Sequence, residues 1–222
     1  LVRWQHPDLG LMPPDAFIPI AEESGLIVHL SAWVLQAALQ QTRAWTDAGL
    51  PGIRVAINLS ARDFSAGLAG RLQALLAENA VPPNRIELEI TEGMLTHSSD
   101  EVIAMMDSLT ALGVSLSLDD FGTGYSSLAY LKRFPIDTLK IDRSFVTGIP
   151  QDGNDCAIAG AIISMAQRLG HRVIAEGVET REQLEFLRSL GCQEIQGHYF
   201  SPPVPAAMFE SMLRSGRSLK LH

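Results

Sequence analysis

Residues 115–127 read Ser-Leu-Ser-Leu-Asp-Asp-Phe-Gly-Thr-Gly-Tyr-Ser-Ser, an alternating segment that runs into two adjacent acids and a glycine-rich turn. Leucine alternates with serine at the period of a β-strand. Asp119 and Asp120 follow at the carboxyl end of that strand, and Gly122 and Gly124 permit a tight loop after them. The segment therefore predicts a strand whose carboxyl end presents reactive side chains.

The same succession of strand, polar side chain and helix repeats on both sides of this segment. Further strands are predicted at residues 1–4, 55–59, 85–91, 138–142, 172–176 and 194–196. Helices are predicted at residues 15–23, 28–48, 100–112, 127–133, 155–169 and 206–214, and after capping boxes at 60–63 and 180–183. Strands that alternate with helices in this way indicate βαβ units and a parallel sheet.

Two parallel architectures are compatible with the seven predicted strands. A doubly wound sheet needs no further strand and gathers its ligand groups at one switch point, whereas an eight-stranded barrel needs one more and gathers them from every strand onto one face. Polar residues lie in or at the carboxyl ends of six different strands: Asn58, Glu89, Asp119, Asp120, Lys140, Glu176 and Gln196. This distribution predicts an α/β fold with a TIM-type barrel.

Four acids are predicted to converge on the mouth of this barrel. They are Glu89, Asp119, Asp120 and Glu176. Carboxylates that converge repel one another unless cations compensate them, and Lys140 supplies only one positive charge. The negative charge that Lys140 does not compensate predicts divalent metal ions. Oxygen ligands that include the amide of Asn58 suit magnesium or manganese better than zinc. Asp119 as a bridge between two ions would be the usual arrangement for phosphoester cleavage.

Composition excludes several classes of function. The chain has 222 residues, of which 46% are hydrophobic, and this excludes a disordered protein. The net charge of −8 argues against a nucleic-acid polymer as partner. No apolar run is long enough to span a bilayer, so we expect no membrane contact from this domain. Cys156 and Cys192 lack metal-site spacing, so we expect two free thiols in a reducing cytoplasm.

Taken together, these motifs resemble the EAL domain family over nearly the whole chain. Leu1-Val-Arg-Trp4 resembles the end of the family's Glu-Ala-Leu-x-Arg-Trp signature. The other matching segments are residues 17–26, 57–60, 89–92, 119–127, 139–142, 175–179 and 196–201. The resemblance implies a modified (β/α)8 barrel with one reversed strand, and metal-dependent hydrolysis of cyclic di-GMP to linear pGpG.

The resemblance also implies a role for each matching residue. Asn58, Glu89 and Asp119 would hold a first Mg²⁺ or Mn²⁺ ion, and Asp119, Asp120 and Glu176 a second. Lys140 would position the attacking water with the paired acids.

Other matching residues would serve the substrate and a loop. Arg3, Glu179 and Gln196 would contact cyclic di-GMP, and Glu92 would anchor the loop after Asp120. The family further implies a homodimer, with sensor or cyclase-type domains fused in the parent protein.

Two positions depart from the family pattern. The signature glutamate would stand two residues before Leu1, so we expect residues 1–222 to be a single EAL domain that lacks its first strand region. His198 stands where the family often has Tyr or Phe, which affects only a peripheral contact. Two alternatives stay open: a catalytically inactive cyclic di-GMP receptor, and another metal-dependent barrel enzyme, such as an enolase-like lyase with Lys140 as base.

Overall fold

The computed structural model describes residues 1–50, 52–65, 67–95, 100–124, 131–216 and 218. Residues 125–127 of the glycine-rich motif, and all but the last part of the helix predicted at 127–133, lie outside the described residues. The other predicted elements fall within them.

The main sheet has six parallel strands, and neighbours in the sheet are neighbours in sequence. They are β3 (Val55–Asn58), β4 (Ile86–Thr91), β5 (Ser115–Phe121), β6 (Thr138–Ile141), β7 (Arg172–Glu176) and β8 (Glu194–Gln196). A doubly wound sheet reverses its strand order at a switch point, whereas a barrel adds each strand beside the last. The sequential order from β3 to β8 therefore belongs to the barrel architecture, and the doubly wound alternative is wrong.

The beginning of the chain differs from its prediction. Residues 1–3 have no regular structure, and β1 (Trp4–His6) pairs antiparallel with β2 (Gly10–Met12) in a separate two-stranded sheet. The strand expected at residues 1–4 is therefore not part of the main sheet. Within the described residues this sheet has six strands, whereas the sequence predicted seven. A short apolar segment beside a turn is equally compatible with a surface hairpin, so its hydrophobicity alone did not decide its partner.

Helices follow the strands much as predicted. They are α1 (Ile18–Ser24), α2 (Ile27–Asp47), α3 (Leu68–Glu78), α4 (Asp100–Ala111), α5 (Ser144–Thr147), α6 (Gly153–Leu169), α7 (Arg181–Ser189) and α8 (Ala206–Arg214). Short 3-10 turns span Pro14–Ala16, Pro83–Arg85 and Glu92–Leu95. The capping box predicted at Thr180 forms with Gln183 and opens α7.

One helix start was placed wrongly. Ser60 and Asp63 do exchange the hydrogen bonds of a capping box, with Ser60 N–H donating to Asp63 Oδ2 at 3.1 Å and Asp63 N–H to Ser60 Oγ at 3.3 Å. They enclose a turn and not a helix, because α3 begins only at Leu68, after Gly67 with a left-handed φ of 92°. A local hydrogen-bonded motif can thus form without propagating.

The two faces of the main sheet have opposite character. Alternate residues point to opposite faces of a strand. On β4, Ile86, Leu88 and Ile90 are fully buried in one hydrophobic core with side chains of the surrounding helices. Glu87 and Glu89, the residues between them, face the interior of the curled sheet and meet charged side chains of other strands. The apolar face therefore holds the helices, and the inner face is polar.

Candidate active site

Lys140 on β6 is the centre of a charged cluster on the inner face. Its Nζ lies 2.7 Å from Glu89 Oε1, 3.1 Å from Asp119 Oδ2 and 2.6 Å from Glu176 Oε1. Only 3% of the Lys140 side chain is exposed, and the three carboxylates are 8%, 11% and 17% exposed. Strands β4, β5, β6 and β7 each contribute one of these groups. The structure therefore brings together, around one ammonium, three of the four acids expected at the barrel mouth.

Two amides complete the cluster at its sides. Asn58 on β3 donates from Nδ2 to Glu89 Oε2 at 2.8 Å, and Gln196 on β8 donates from Nε2 to Glu176 Oε1 at 3.3 Å. Each amide contacts the acid of the adjacent strand. All six strands of the main sheet consequently contribute a side chain to this end of the barrel, as the sequence predicted.

Burial and charge shift the pKa values of this cluster strongly. Burial raises the pKa of Glu176 to about 7, although Lys140 acts in the opposite direction. Burial likewise raises the pKa of Glu89 above its ordinary value. Burial alone would lower the pKa of Lys140, but Glu89, Asp119 and Glu176 outweigh it and raise that pKa. Lys140 is therefore held as a cation, and the acids are crowded beyond what one cation relieves.

Asp120 lies at the edge of the cluster in a strained backbone conformation. Its φ is 54°, which is uncommon for a residue other than glycine, and its N–H donates to Asp119 Oδ1 at 3.0 Å. Burial, followed by the charges of Asp119 and Asp142, raises the pKa of Asp120. Asp120 lies within β5, where the register with β6 shifts between Leu118 and Phe121. Backbone strain of this kind is often found at functional sites.

Glu92 holds the beginning of that loop. The residue is 3% exposed, and its Oε2 accepts hydrogen bonds from Gly122 N–H at 2.9 Å and Gly124 N–H at 3.1 Å. A Cβ on Gly122 would lie 2.8 Å from the Phe145 ring, and one on Gly124 would lie 3.0 Å from the Glu92 carboxyl carbon. A side chain at position 122 would therefore displace the Phe145 ring, and one at position 124 would crowd Glu92.

The remaining predicted substrate contacts lie outside the Lys140 cluster. Arg3 is half-buried and donates from Nη1 to the carbonyls of Leu1 and Val2. Glu179 is exposed in the loop after β7, where its backbone N–H is bound to Gln183. Neither side chain shows a contact with the cluster, so their predicted roles rest on the resemblance alone.

The chemistry of the donor set fits an oxygen-preferring divalent cation. Carboxylates and one amide face a common interior, and their negative charge exceeds that of Lys140. Among the described residues, however, no three His, Cys, Asp or Glu side chains are arranged to hold a metal ion. The ammonium of Lys140 lies where the carboxylates converge, so the donors are present but are closed around the lysine.

Two features, one on the inner face of the sheet and one on α7, were not predicted. Below the Lys140 cluster, Glu87 Oε2 accepts from Arg54 Nη1 at 2.9 Å and Arg172 Nη2 at 3.1 Å. Each of these residues stands two or four positions before a site residue on its strand, and this spacing was the signal that could have found them. Gln183, recognised only as a helix cap, has further partners outside its helix.

Comparisons with known proteins identify the relatives of this chain. A model of the EAL domain family matches residues 1–203. A cyclic di-GMP phosphodiesterase of Pseudomonas aeruginosa, NbdA, is 48% identical over 98% of this chain and 28% of its own length. MucR of the same organism, a bifunctional diguanylate cyclase/cyclic di-GMP phosphodiesterase, is 44% identical over 93% of this chain and 30% of its own length.

A solved structure of the PaMucR phosphodiesterase in complex with c-di-GMP matches with a TM-score of 0.91 and 44% identity, covering 94% of this chain and 85% of that one. The predicted α/β barrel is thereby confirmed. The chain spans less than a third of the length of NbdA and MucR. In the described part of the chain, no helix combines the length and the apolar character needed to cross a membrane.

Proposed function

The chain belongs to the EAL domain family, and on that premise we propose that it is a metal-dependent phosphodiesterase that hydrolyses cyclic di-GMP to linear pGpG. The observation that carries the proposal is the convergence of Glu89, Asp119 and Glu176 on Lys140 at the carboxyl ends of four strands. Active sites of (β/α)8 barrels lie at this end. An acidic, oxygen-rich site suits phosphoester cleavage because its ligands bind divalent cations.

Two Mg²⁺ or Mn²⁺ ions are part of the proposal. Asn58, Glu89 and Asp119 would hold one of them. Asp119, Asp120 and Glu176 would hold the other. When bound, the ions would offset the negative charge of the substrate phosphate and make a bound water more acidic.

Lys140 is proposed to orient the attacking water and to stabilise negative charge on the phosphate. Three carboxylates lie within 3.1 Å of its ammonium and hold it in position, so the charge is preorganised in the site. The same contacts raise its pKa. A neutral lysine base, which the lyase alternative requires, is disfavoured in this arrangement.

The acids and loop groups have complementary proposed roles. Asp119 and Asp120 would orient the water with Lys140 so that it attacks phosphorus in line with the bond that breaks. Glu92 would fix the loop after Asp120 through the two glycine N–H groups. Arg3, Glu179 and Gln196 would bind cyclic di-GMP.

The assembly and location of the protein are also proposals. We propose one EAL domain over residues 1–222, since a single hydrophobic core connects strands β3–β7 with helices α2–α7. A homodimer and fused sensor or cyclase-type domains are proposed by analogy with the family. Cys156 and Cys192 are free thiols, which supports a reducing cytoplasm.

A turnover assay tests the function. The full-length protein is incubated with cyclic di-GMP and Mg²⁺ or Mn²⁺, with a chelator control, and pGpG is followed by chromatography. We expect product that depends on added metal. Tight binding without product would instead establish the receptor alternative. If the protein neither bound nor hydrolysed cyclic di-GMP, the phosphodiesterase and receptor hypotheses would both be contradicted. Another metal-dependent barrel enzyme would then be the alternative to test.

A further inference from the structure

Gln183 makes contacts that its place in a capping box does not explain. The side chain is almost fully buried. Its Oε1 accepts from the backbone N–H groups of Glu179 at 2.7 Å and Thr180 at 3.0 Å. Its Nε2 donates to the backbone carbonyls of Val146 at 3.1 Å and Thr147 at 3.4 Å. Two donors at one end and two acceptors at the other fix the orientation of the amide.

The cap alone would accept a different residue. In a capping box, the third helical residue is Glu or Gln, because only an acceptor for backbone N–H groups is needed. The two contacts to Val146 and Thr147 need a donor, which an ionised Glu lacks. A carboxylate would also direct negative charge at two carbonyl oxygens. We call the two hydrogen bonds from Gln183 Nε2 to Val146 and Thr147 the bridge to α5. This bridge, and not the cap, explains why residue 183 is Gln.

The bridge joins two loops at the rim of the site. Residues 142–147 follow β6, which carries Lys140, and residues 177–180 follow β7, which carries Glu176. The loops are also packed closely, because a Cβ on Gly177 would lie 2.6 Å from Arg143 Cβ. The relative position of these loops thus shapes the rim on two sides.

We infer that Gln183 is a positioning residue that holds the loops after β6 and β7 together and so shapes the substrate-binding rim. The inference rests on the proposed function for its kinetic consequence, and on the hydrogen bonds of Gln183 for its structural one. The groups proposed to act on the phosphate sit on strands, which the bridge does not hold. Loss of the bridge therefore weakens substrate binding and spares the chemical step.

Gln183→Glu and Thr180→Ala separate the bridge from the cap. Gln183→Glu keeps the acceptor for the helix start and removes both donations to α5. Thr180→Ala removes the Oγ1 that accepts from Gln183 N–H at 3.2 Å and keeps the amide bridge. We expect Gln183→Glu to raise KM for cyclic di-GMP about tenfold with kcat within about twofold of wild type. Thr180→Ala should lower the melting temperature and leave KM near wild type.

The reverse pattern overturns the inference. Equal KM values for wild type and Gln183→Glu, a larger rise in Thr180→Ala, or a fall in kcat alone would each assign Gln183 to the cap or to the chemistry. Circular dichroism at the assay temperature checks that the variants are folded. If Gln183→Glu is unfolded, Gln183→Met replaces it in the kinetic test. Gln183→Met adds no charge but removes the bridge and the cap acceptor together, so Thr180→Ala then measures the effect of the cap.

Hydrogen exchange without ligand keeps this inference separate from the proposed function. In Gln183→Glu, we expect faster amide exchange in residues 144–149 and 177–180, whereas Thr180→Ala should affect only the start of α7. Unchanged exchange in both loops of Gln183→Glu would overturn the bridge whatever the substrate is. A wild-type protein without phosphodiesterase activity would instead refute the proposed function and leave the exchange result valid.

Discussion

The inner face of the sheet carries two charged clusters, and they balance charge differently. The upper cluster consists of Asn58, Glu89, Asp119, Lys140, Glu176 and Gln196. The lower cluster consists of Arg54, Glu87, Thr138, Arg172 and Glu194. In the lower cluster, two guanidinium groups face two carboxylates. In the upper cluster, one ammonium faces three carboxylates, with a further acid, Asp120, beside them.

This difference separates a structural network from a candidate reactive one. Arg172 contacts Glu87, Glu194 and Thr138, so each charge of the lower cluster has a partner of opposite sign. Such a network is satisfied internally and needs no ligand. The upper cluster keeps excess negative charge in a buried position. Burial, with the charges of Asp119 and Glu89 adding to it, raises the pKa of Glu176 to about 7. Excess charge of that kind favours the binding of cations.

The largest expected effect is on turnover by Glu176→Gln. The change removes a proposed metal ligand and keeps the size of the side chain, so we expect kcat to fall roughly 10³-fold or more, equivalent to about 4 kcal/mol. Binding of cyclic di-GMP should be partly retained. Glu194→Gln, the same change in the lower cluster, is the matched control and should leave pGpG formation near wild type. Normal turnover by Glu176→Gln would refute the metal assignment.

Lys140→Met tests the charge balance without substrate. With chelator present, three crowded carboxylates lose their common cation, and we expect the free energy of unfolding to fall by about 3 kcal/mol. Added Mg²⁺ should then stabilise the variant more than wild type, because the acids keep only the metal as counter-charge. Urea denaturation with and without Mg²⁺ measures both effects. Equal Mg²⁺ stabilisation of the two proteins would contradict the proposed site.

Glu87→Gln tests the claim that the lower cluster is structural. Arg54 and Arg172 lose their shared carboxylate, but both are 39% exposed and water screens part of the loss. We therefore expect the free energy of unfolding to fall by about 1–2 kcal/mol, with kcat/KM within about threefold of wild type. A loss of turnover comparable to that of Glu176→Gln would show that the two clusters act as one.

The sequence predicted the upper cluster better than the lower one. Asp119, Lys140 and Glu176 stand at the ends of apolar strands, where a parallel barrel gathers its polar side chains, so topology alone implied their proximity. What it did not imply was the convergence of three acids on the lysine. That contact depends on side-chain rotamers and on the stagger between strands, which alternation does not encode.

The misjudged features were those whose local chemistry was recognised but whose wider role depended on tertiary contacts. Residues 1–4 have the apolar character of a strand, but residues 1–3 have no regular structure and Trp4 pairs with Met12 in a local hairpin. The Ser60–Asp63 motif forms its hydrogen bonds without starting a helix. Gln183 was recognised as a cap because its partner Thr180 is nearby. Its bridge to α5 lies 37 residues away, beyond any local pattern. Local sequence patterns therefore predicted the individual motifs, whereas tertiary contacts determined which partners each motif has in the fold.

The smallest expected effect concerns His171, which directly precedes the lower-cluster residue Arg172. Burial lowers the pKa of His171 below its ordinary value, although Ile136 and Asp137 act in the opposite direction. The imidazole therefore binds a proton more readily in the unfolded chain than in the folded protein. Because of this difference, stability is lost as the pH falls from the unfolded pKa of about 6.5 through the folded pKa. His171→Gln should reduce this loss between about pH 7.5 and 5.5 in urea denaturation with chelator. His29→Gln, at an exposed position on α2, is the matched control, and an equal reduction there would assign the acid sensitivity to histidine content and not to burial at the lower end of the barrel.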